Sequence, residues 1–212
     1  MYLSHTVTVV TLKPGPGQRH LVTDLTADRV ADLVEAYERE EPFALVERER
    51  LDTLPAAARD GDLLWRDVEW IVRWYHRRHL DDRHRDRRVR AETAFRNNPG
   101  SALFPAIQTA LETEVLPDRL GHLTDLRGID LGEATAVLFF LAPSVDIVMS
   151  PREWAGLERA HLVRTPYPSS PDVATYDTYR RVSREHAERI GVDLVALQRA
   201  LWRLGDTTGP KR

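Results

Sequence analysis

The feature that most constrains this chain is a nine-residue segment, residues 133–141, that is apolar on almost every side of a helix. Its sequence is EATAVLFFL, in which only the first and third residues are polar. A helix without a polar face must be enclosed by other parts of a folded domain. The sequence therefore predicts a helical protein whose central helix is this segment.

A second helix is predicted immediately before this segment. Leu120, Leu123 and Leu126 recur at helical spacing, and Gly128 follows where that helix has to stop. Glycine adopts a positive φ at no steric cost, which is typical of a helix end. Two helices joined by so short a turn form an antiparallel or steeply crossed pair, of which the second should be the buried one.

This helix pair resembles the helix-hairpin-helix element of the base-excision DNA glycosylase superfamily. The shared pattern is Leu-x-Gly-hydrophobic followed by Ala-(Ser/Thr)-Ala-hydrophobic-Leu, and it is filled here by LRGIDLGEATAVL, residues 126–138. A loop with Pro143 and a further helix carrying Trp154 follow in a similar order. The order of elements is similar over residues 60–205, and the motif itself is confined to 126–157.

The resemblance implies a mainly α fold, a two-lobed helical bundle that binds double-stranded DNA. In that superfamily, backbone N–H groups of the hairpin hold a DNA phosphate. The residues that the resemblance places at the DNA backbone are Arg127, Gly128, Ile129, Asp130 and Gly132. Of these, Arg127 would add a charge-assisted phosphate contact.

Three departures from the superfamily pattern remove its standard chemistry. The second hairpin glycine is replaced by Asp130, whose negative charge opposes a phosphate. Gly132 occupies the position of the nucleophilic Lys of bifunctional members, and Ser150 that of the catalytic Asp. Residues 150–153, Ser-Pro-Arg-Glu, read instead as a helix capping box with Pro at the first helical position. The chain therefore resembles a catalytically degenerate member, and whether it is an enzyme stays open.

Two carboxylates, Glu133 and Asp146, are the nearest catalytic candidates to the pocket that the resemblance implies. Each also has a structural interpretation, which we favour. Glu133 would interact with the positive end of its own helix, and Asp146 would lie in a solvated loop.

A tryptophan- and arginine-rich segment begins at Asp62, and we predict a long helix there. It contains Trp70, Arg73, Trp74 and Arg77, which could form a platform for unpaired bases beside a basic patch. The interpretation that we favour is a packing helix with indoles in the core and arginine stems at its rim.

The basic window that follows, residues 73–90, is interrupted by aspartates, so a solvated face with internal ion pairs is favoured over a DNA-contacting patch. His76 and His79 have the spacing of a helical metal-ligand pair. No other ligand motif accompanies them, and no metal site is predicted.

Composition sets further bounds on function. The net charge of −3 gives no overall attraction to nucleic acid, so DNA binding requires a local patch. The absence of cysteine excludes disulfides and iron–sulfur clusters, and we predict no cofactor. No apolar stretch reaches about 20 residues, so no membrane partner and a cytoplasmic location are expected.

The chain divides into three predicted parts. Residues 1–25 read as an extended segment with a short β-hairpin, 26–205 as the helical glycosylase-like domain, and 206–212 as a frayed tail. Asn97 to Gly100 is the predicted boundary between the lobes.

Two short helical segments, one at Phe43–Leu51 and one at Pro55–Arg59, are expected before Asp62. The alternative function is a non-enzymatic helical interaction or structural protein that has lost DNA binding, with its protein partner unknown.

Overall fold

The computed structural model of the protein describes residues 25–78 and 85–206, and within these ranges it contains α-helices and no strand. The prediction of a mainly α fold is therefore confirmed. The N-terminal β-hairpin and the frayed tail were predicted for segments that lie almost wholly outside the described residues. Among the described helices, none combines the length and the apolarity that crossing a bilayer requires. The helices are α1 (Ala27–Glu40), α2 (Ala44–Asp60), α3 (Trp65–Arg77), α4 (Arg85–Phe95), α5 (Gly100–Glu112), α6 (Leu116–Thr124), α7 (Leu131–Leu141), α8 (Pro151–Arg159), α9 (Val173–Ile190) and α10 (Leu194–Leu204).

Helix α7 lies at the centre of the core, as its sequence predicts. Every residue from Glu133 to Leu141 is buried. Helices α2, α3 and α6 pack around α7, while α5 lies against α6 and α4 against α3. The first and last described helices, α1 and α10, pack on each other, and α8 and α9 lie against α10. The middle of the chain and its two ends thus form two groups of helices that share one core.

Most helix ends follow the local signals in the sequence. The side chain of Thr26 accepts a hydrogen bond from the backbone N–H of Arg29 and caps α1. Gly61 and Gly191 have positive φ and end α2 and α9. Ser150 caps α8 by accepting from the backbone N–H of Arg152, which confirms its predicted capping role.

Two helix boundaries differ from the prediction. Helix α2 runs without a break through Pro55, because Leu51, Leu54 and Ala58 lie on one buried face that continues past the proline. That burial outweighs the cost of about 3 kcal/mol for an interior proline. Helix α3 begins at Trp65 rather than at Asp62, because the carboxylate of Asp67 accepts the backbone N–H of Leu64 at 3.0 Å.

The neutral form of His186 joins α9 to the start of the described chain. The imidazole is buried, its Nε2 lies 2.8 Å from the carbonyl oxygen of Leu25, and its Nδ1 lies 2.5 Å from a guanidinium nitrogen of Arg189. Since Arg189 can only donate, Nδ1 must accept, and the ring proton is therefore on Nε2. Burial lowers the pKa of His186, an effect that Arg189 reinforces and the bond to Leu25 opposes.

The depressed pKa of His186 predicts a pH dependence of stability. Below about pH 6.5, the unfolded chain binds a proton at this site more readily than the folded protein does. We therefore expect the free energy of unfolding, measured by urea denaturation, to fall between pH 7.5 and pH 5.5 by more in the wild type than in His186→Gln. Equal slopes in the two proteins would contradict this assignment.

Candidate nucleic-acid interface

Helices α6 and α7 are joined by a turn, residues 125–130, that packs closely against α4. Gly128 has φ of 73°, which a residue with a side chain rarely adopts. A Cβ atom at this position would overlap the carbonyl oxygen of Ala91 and lie 2.6 Å from the backbone nitrogen of Phe95. Glycine is therefore required at 128 both by its backbone conformation and by the approach of α4.

A single buried side chain, Asn98, fixes the turn to the end of α4. Its Oδ1 accepts the backbone N–H of Arg127 at 3.0 Å, and its Nδ2 donates to the carbonyl oxygens of Arg127 and Phe95 at 2.8 and 2.9 Å. Asn98 belongs to the Asn-Asn-Pro-Gly sequence that we interpreted only as a break. Nothing local in that sequence shows that its second asparagine satisfies the turn.

The beginning of α7 is held by Glu133, one of the two carboxylates considered for catalysis. Its Oε2 accepts the backbone N–H of Asp130 at 3.1 Å, and its Oε1 lies 2.9 Å from Nε2 of His76. Only 1% of Glu133 is exposed. Its carboxylate is thus engaged in helix capping, which is the structural interpretation that we favoured, and it also contacts the His76 imidazole.

Only one histidine of the pair considered as metal ligands lies within the described residues. His76 is buried against Glu133, and His79 lies outside the described residues. Among residues 25–78 and 85–206, no group of three or more His, Cys, Asp or Glu side chains has the arrangement of a metal site.

The outer face of the turn carries both signs of charge. Arg127 and Asp130 are exposed, with 78% of the Asp130 side chain accessible. Nη2 of Arg87, on α4, lies 3.5 Å from Oδ2 of Asp130. Two arginines therefore accompany the two exposed aspartates of the turn, Asp130 and Asp125. The sequence reading missed Arg87 because it belongs to the basic window that was interpreted as a solvated face.

Some backbone N–H groups of the turn are already engaged. Those of Arg127 and Asp130 are bonded to Asn98 and Glu133, and that of Ile129 donates to the carbonyl oxygen of Leu126 at 3.3 Å. Within the part of the chain that the structure describes, the N–H groups of Gly128, Leu131 and Gly132 have no hydrogen-bond acceptor. These three, two of them in the first turn of α7, would be the donors for an outside acceptor.

The two positions that the resemblance assigns to catalysis are closely packed. A Cβ atom at Gly132 would overlap the phenol oxygen of Tyr75 and lie 2.6 Å from its Cζ. The Tyr75 hydroxyl in turn donates to the carbonyl oxygen of Met149 at 3.4 Å. The Ser150 hydroxyl contacts the carboxylate of Glu153. Neither position therefore faces an open pocket.

Behind Ser150 lies a buried polar cluster formed around Glu153. This carboxylate is fully buried, with Nη1 of Arg78 at 2.8 Å and Nε2 of Gln198 at 2.6 Å. The guanidinium of Arg78 lies 4.1 Å from the ring centroid of Trp74 and 3.8 Å from that of Trp202. Burial lowers the pKa of Arg78, but neighbouring acidic groups, Glu153 foremost, raise it above its ordinary value. Arg78 therefore stays charged and holds Glu153 as an ion pair.

The two tryptophans considered as a base-stacking platform are part of the packing. Only 2% of Trp74 is exposed, its Nε1 donates to Glu47 at 3.2 Å, and its ring meets Phe140 edge-on at 4.8 Å. Trp70 is half-buried beside Trp74, at 6.5 Å between ring centroids. The described contacts thus agree with the packing interpretation, and Trp74 has no face accessible to a base.

The expectation that Asp146 lies in a solvated loop is wrong. Asp146 is fully buried, with Nη2 of Arg119 at 2.8 Å, Nε of Arg180 at 3.4 Å and the hydroxyl of Tyr176 at 3.3 Å. Burial raises the pKa of Asp146, which the two guanidinium groups oppose. Its partners lie on α6 and α9, far away in sequence, so the local polar context did not reveal this tie between the helices.

Comparison of this chain with protein-family models, with curated proteins and with solved structures found no match. The relationship to the glycosylase superfamily therefore remains a prediction from residues 126–157.

The packing of Gly132 on Tyr75 predicts a site-specific loss of stability. Gly132→Ala should lower the free energy of unfolding by about 1–3 kcal/mol, because the new methyl group overlaps the phenol. Gly121→Ala is the matched control, since a Cβ atom at this helical position meets no atom within 4 Å. The control should be neutral or stabilise by up to about 1 kcal/mol. Equal effects in chemical denaturation would contradict the close contact.

The role of Asn98 predicts a second loss of stability. Asn98→Ala should cost about 1–3 kcal/mol, because it leaves buried backbone groups at the turn without partners. The neighbouring Asn97 is exposed and donates only to the carbonyl oxygen of Thr93, so Asn97→Ala should change stability by less than about 1 kcal/mol. Urea unfolding of both variants tests this difference.

Proposed function

We propose that this protein binds the sugar-phosphate backbone of double-stranded DNA through the turn between α6 and α7, without the standard glycosylase chemistry. One observation carries the proposal. The Gly128 turn is held against α4 by Asn98, and Arg87 contacts Asp130, the residue before the first turn of α7, while Arg127 of the same turn is exposed.

The start of α7 is chemically suited to a phosphate. Backbone N–H groups in the first turn of a helix, together with the helix dipole, attract anions. The turn is already ordered by Asn98 and by the contact between Gly128 and Ala91, so binding would lose little conformational entropy. Phosphate contacts of this kind position a protein on DNA and carry no base specificity.

The local charge balance supports weak, salt-sensitive binding. Arg87 and Arg127 equal in number the two exposed aspartates of the turn, Asp125 and Asp130, whereas the whole chain has a net charge of −3. Asp130 is exposed, so its repulsion of a phosphate at 4 Å is about 1 kcal/mol in water. Two arginines are sufficient to offset a repulsion of this size.

The packing of the two catalytic positions supports a non-catalytic role. Gly132 has no space for the Lys of bifunctional glycosylases while Tyr75 is present. Ser150 is used as a helix cap, and Glu133 is used to hold the start of α7. Among the described residues, these uses leave no amine nucleophile at the turn, and its exposed carboxylates, Asp125 and Asp130, lie outside the positions that the resemblance assigns to catalysis.

A helical interaction protein that does not bind DNA is the second candidate. It is favoured by the exposed Asp130 carboxylate and by the intramolecular use of three N–H groups of the turn. In this alternative, Arg87 serves only to neutralise Asp130. The two functions differ in what removal of the Asp130 charge does.

Fluorescence anisotropy of labelled duplexes, one intact and one with an abasic-site analogue, tests the proposal across a series of salt concentrations. Asp130→Asn removes the charge and keeps a good N-cap residue, so affinity should rise about fivefold, the equivalent of about 1 kcal/mol. Arg127→Ala should reduce the slope of log affinity against log salt by about one.

The control is Arg39→Ala, which removes an exposed arginine of α1, a helix that packs on α10 and α2. It should leave both affinity and salt slope unchanged. If neither the wild type nor Asp130→Asn binds either duplex at low salt, the DNA-binding proposal fails and the interaction protein is favoured. Tighter binding to the abasic duplex would add lesion recognition to the function.

A further inference from the structure

Helices α3 and α4 meet along a line of contact where three arginines surround one carboxylate. Nε of Arg73 lies 4.0 Å from Glu92 Oε2, and Nε of Arg77 and of Arg88 lie 3.5 and 3.9 Å from Oε1. We call these four residues the arginine seam. Its side chains sum to a net charge of +2, although the whole chain is acidic.

The contacts in the seam are ion-pair contacts without hydrogen bonds. Nε of Arg73, Nε of Arg77 and Oε1 of Glu92 are buried, and none has a hydrogen-bond partner among the described residues. Buried polar groups without partners are rare and costly in folded proteins. The seam therefore holds more hydrogen-bonding capacity, and more positive charge, than its single carboxylate uses.

Holding α4 in place does not account for this arrangement. Helix α4 has few apolar contacts, with only Phe95 buried, so ion pairs to α3 do help to position it. A single ion pair is enough to join α3 to the end of α4. Just past that end, Arg96 Nε donates to Glu69 Oε1 of α3 at 3.0 Å, one guanidinium to one carboxylate. Two arginines of the seam exceed that requirement.

The seam lies beside the turn between α6 and α7. Arg87, which contacts Asp130, is the neighbour of Arg88, and Ala91, which contacts Gly128, is the neighbour of Glu92. At about 1.5 Å of rise per residue, these positions fall within two turns of α4. Between 34% and 37% of each arginine side chain of the seam is exposed, so an anion can reach the guanidinium groups from solvent.

We propose that the arginine seam binds a phosphate of a nucleic-acid backbone, next to the phosphate held at the α6–α7 turn. The guanidinium groups of Arg73, Arg77 and Arg88 would donate to its oxygens, and its single negative charge would offset one of the two positive charges that Glu92 leaves. The inference rests on the proposed DNA binding for the identity of the ligand. The seam would be a second contact surface for the nucleic acid, whose sugar-phosphate backbone would then run from the turn across α4 towards α3.

The test compares salt-dependent DNA affinity, by anisotropy with the intact duplex, between seam and turn variants of the full chain. Arg73→Gln/Arg77→Gln should weaken binding at least tenfold and reduce the log–log salt slope by about one, because one phosphate contact is lost. Arg73→Lys/Arg77→Lys, which keeps both charges, should retain the slope. Glu69→Gln/Arg96→Gln removes a neighbouring pair without changing net charge and should bind as the wild type does.

Glu92→Gln provides a measurement that misfolding cannot imitate. Removing the only negative charge of the seam should tighten DNA binding severalfold, whereas a damaged fold would weaken it. If the glutamine double variant does not fold, this result decides: tightening supports the inference, and unchanged affinity overturns it.

A third double variant, Arg87→Gln/Arg127→Gln, changes the turn and leaves the seam intact. Its DNA affinity shows whether the seam inference or the proposed function has failed. If these turn substitutions weaken binding and the seam substitutions do not, the seam inference is wrong and the proposed function stands. If only the seam substitutions weaken binding, the turn is not the DNA contact and the seam is. If the wild type binds no duplex at low salt, both are wrong.

Discussion

The enclosure of α7 is the constraint on which the rest of this structure depends. Residues 133–141 are buried in full, so every neighbour of α7 has to present an apolar surface to it. Helix α3 supplies Trp74, Val72 and Ile71, and Phe140 of α7 packs edge-on against the indoles of α3. The helices packed around α7 also determine where its two ends reach the surface. The amino-terminal end is the α6–α7 turn.

Burying α7 brings charged side chains into the interior with it. Glu133, Asp146 and Glu153 are all buried, and each lies within 3 Å of a cationic or histidine side chain from a different helix. A buried carboxylate without such a partner would cost several kcal/mol. These pairs give little net stability, but they allow only one relative placement of the helices that they join. Glu133, Asp146 and Glu153 therefore serve the fold, and the exposed chemistry of the turn is left to its arginines, its aspartates and its backbone N–H groups.

Local signals in the sequence predicted the elements that depend on neighbouring residues. The cap at Ser150, the positive φ of Gly128 and the buried run that begins at Glu133 are examples, because a few adjacent residues decide each of them. Interactions between distant segments were not predictable in this way. The continuation of α2 through Pro55 depends on a buried face.

The candidate site also contains both kinds of feature, those that follow from neighbouring residues and those that depend on distant segments. The exposed residues Arg127 and Asp130 and the turn at Gly128 were found from the motif. The hold of Asn98 on the turn, the contact from Arg87 and the three-to-one arrangement around Glu92 join segments that are distant in sequence or lie on separate helices. Composition and periodicity contain no information about such pairings.

The contact between Gly132 and Tyr75 limits which substitutions the protein can accept at position 132. A lysine could not be introduced at position 132 by a single substitution, because the phenol of Tyr75 occupies the space that its Cβ would need. Tyr75 would first have to become smaller, and its hydroxyl, which donates to Met149, would be lost in that step. Neither change alone is favourable, so the order of mutations matters. The packing of one aromatic ring therefore opposes any lysine at position 132 for as long as Tyr75 is present.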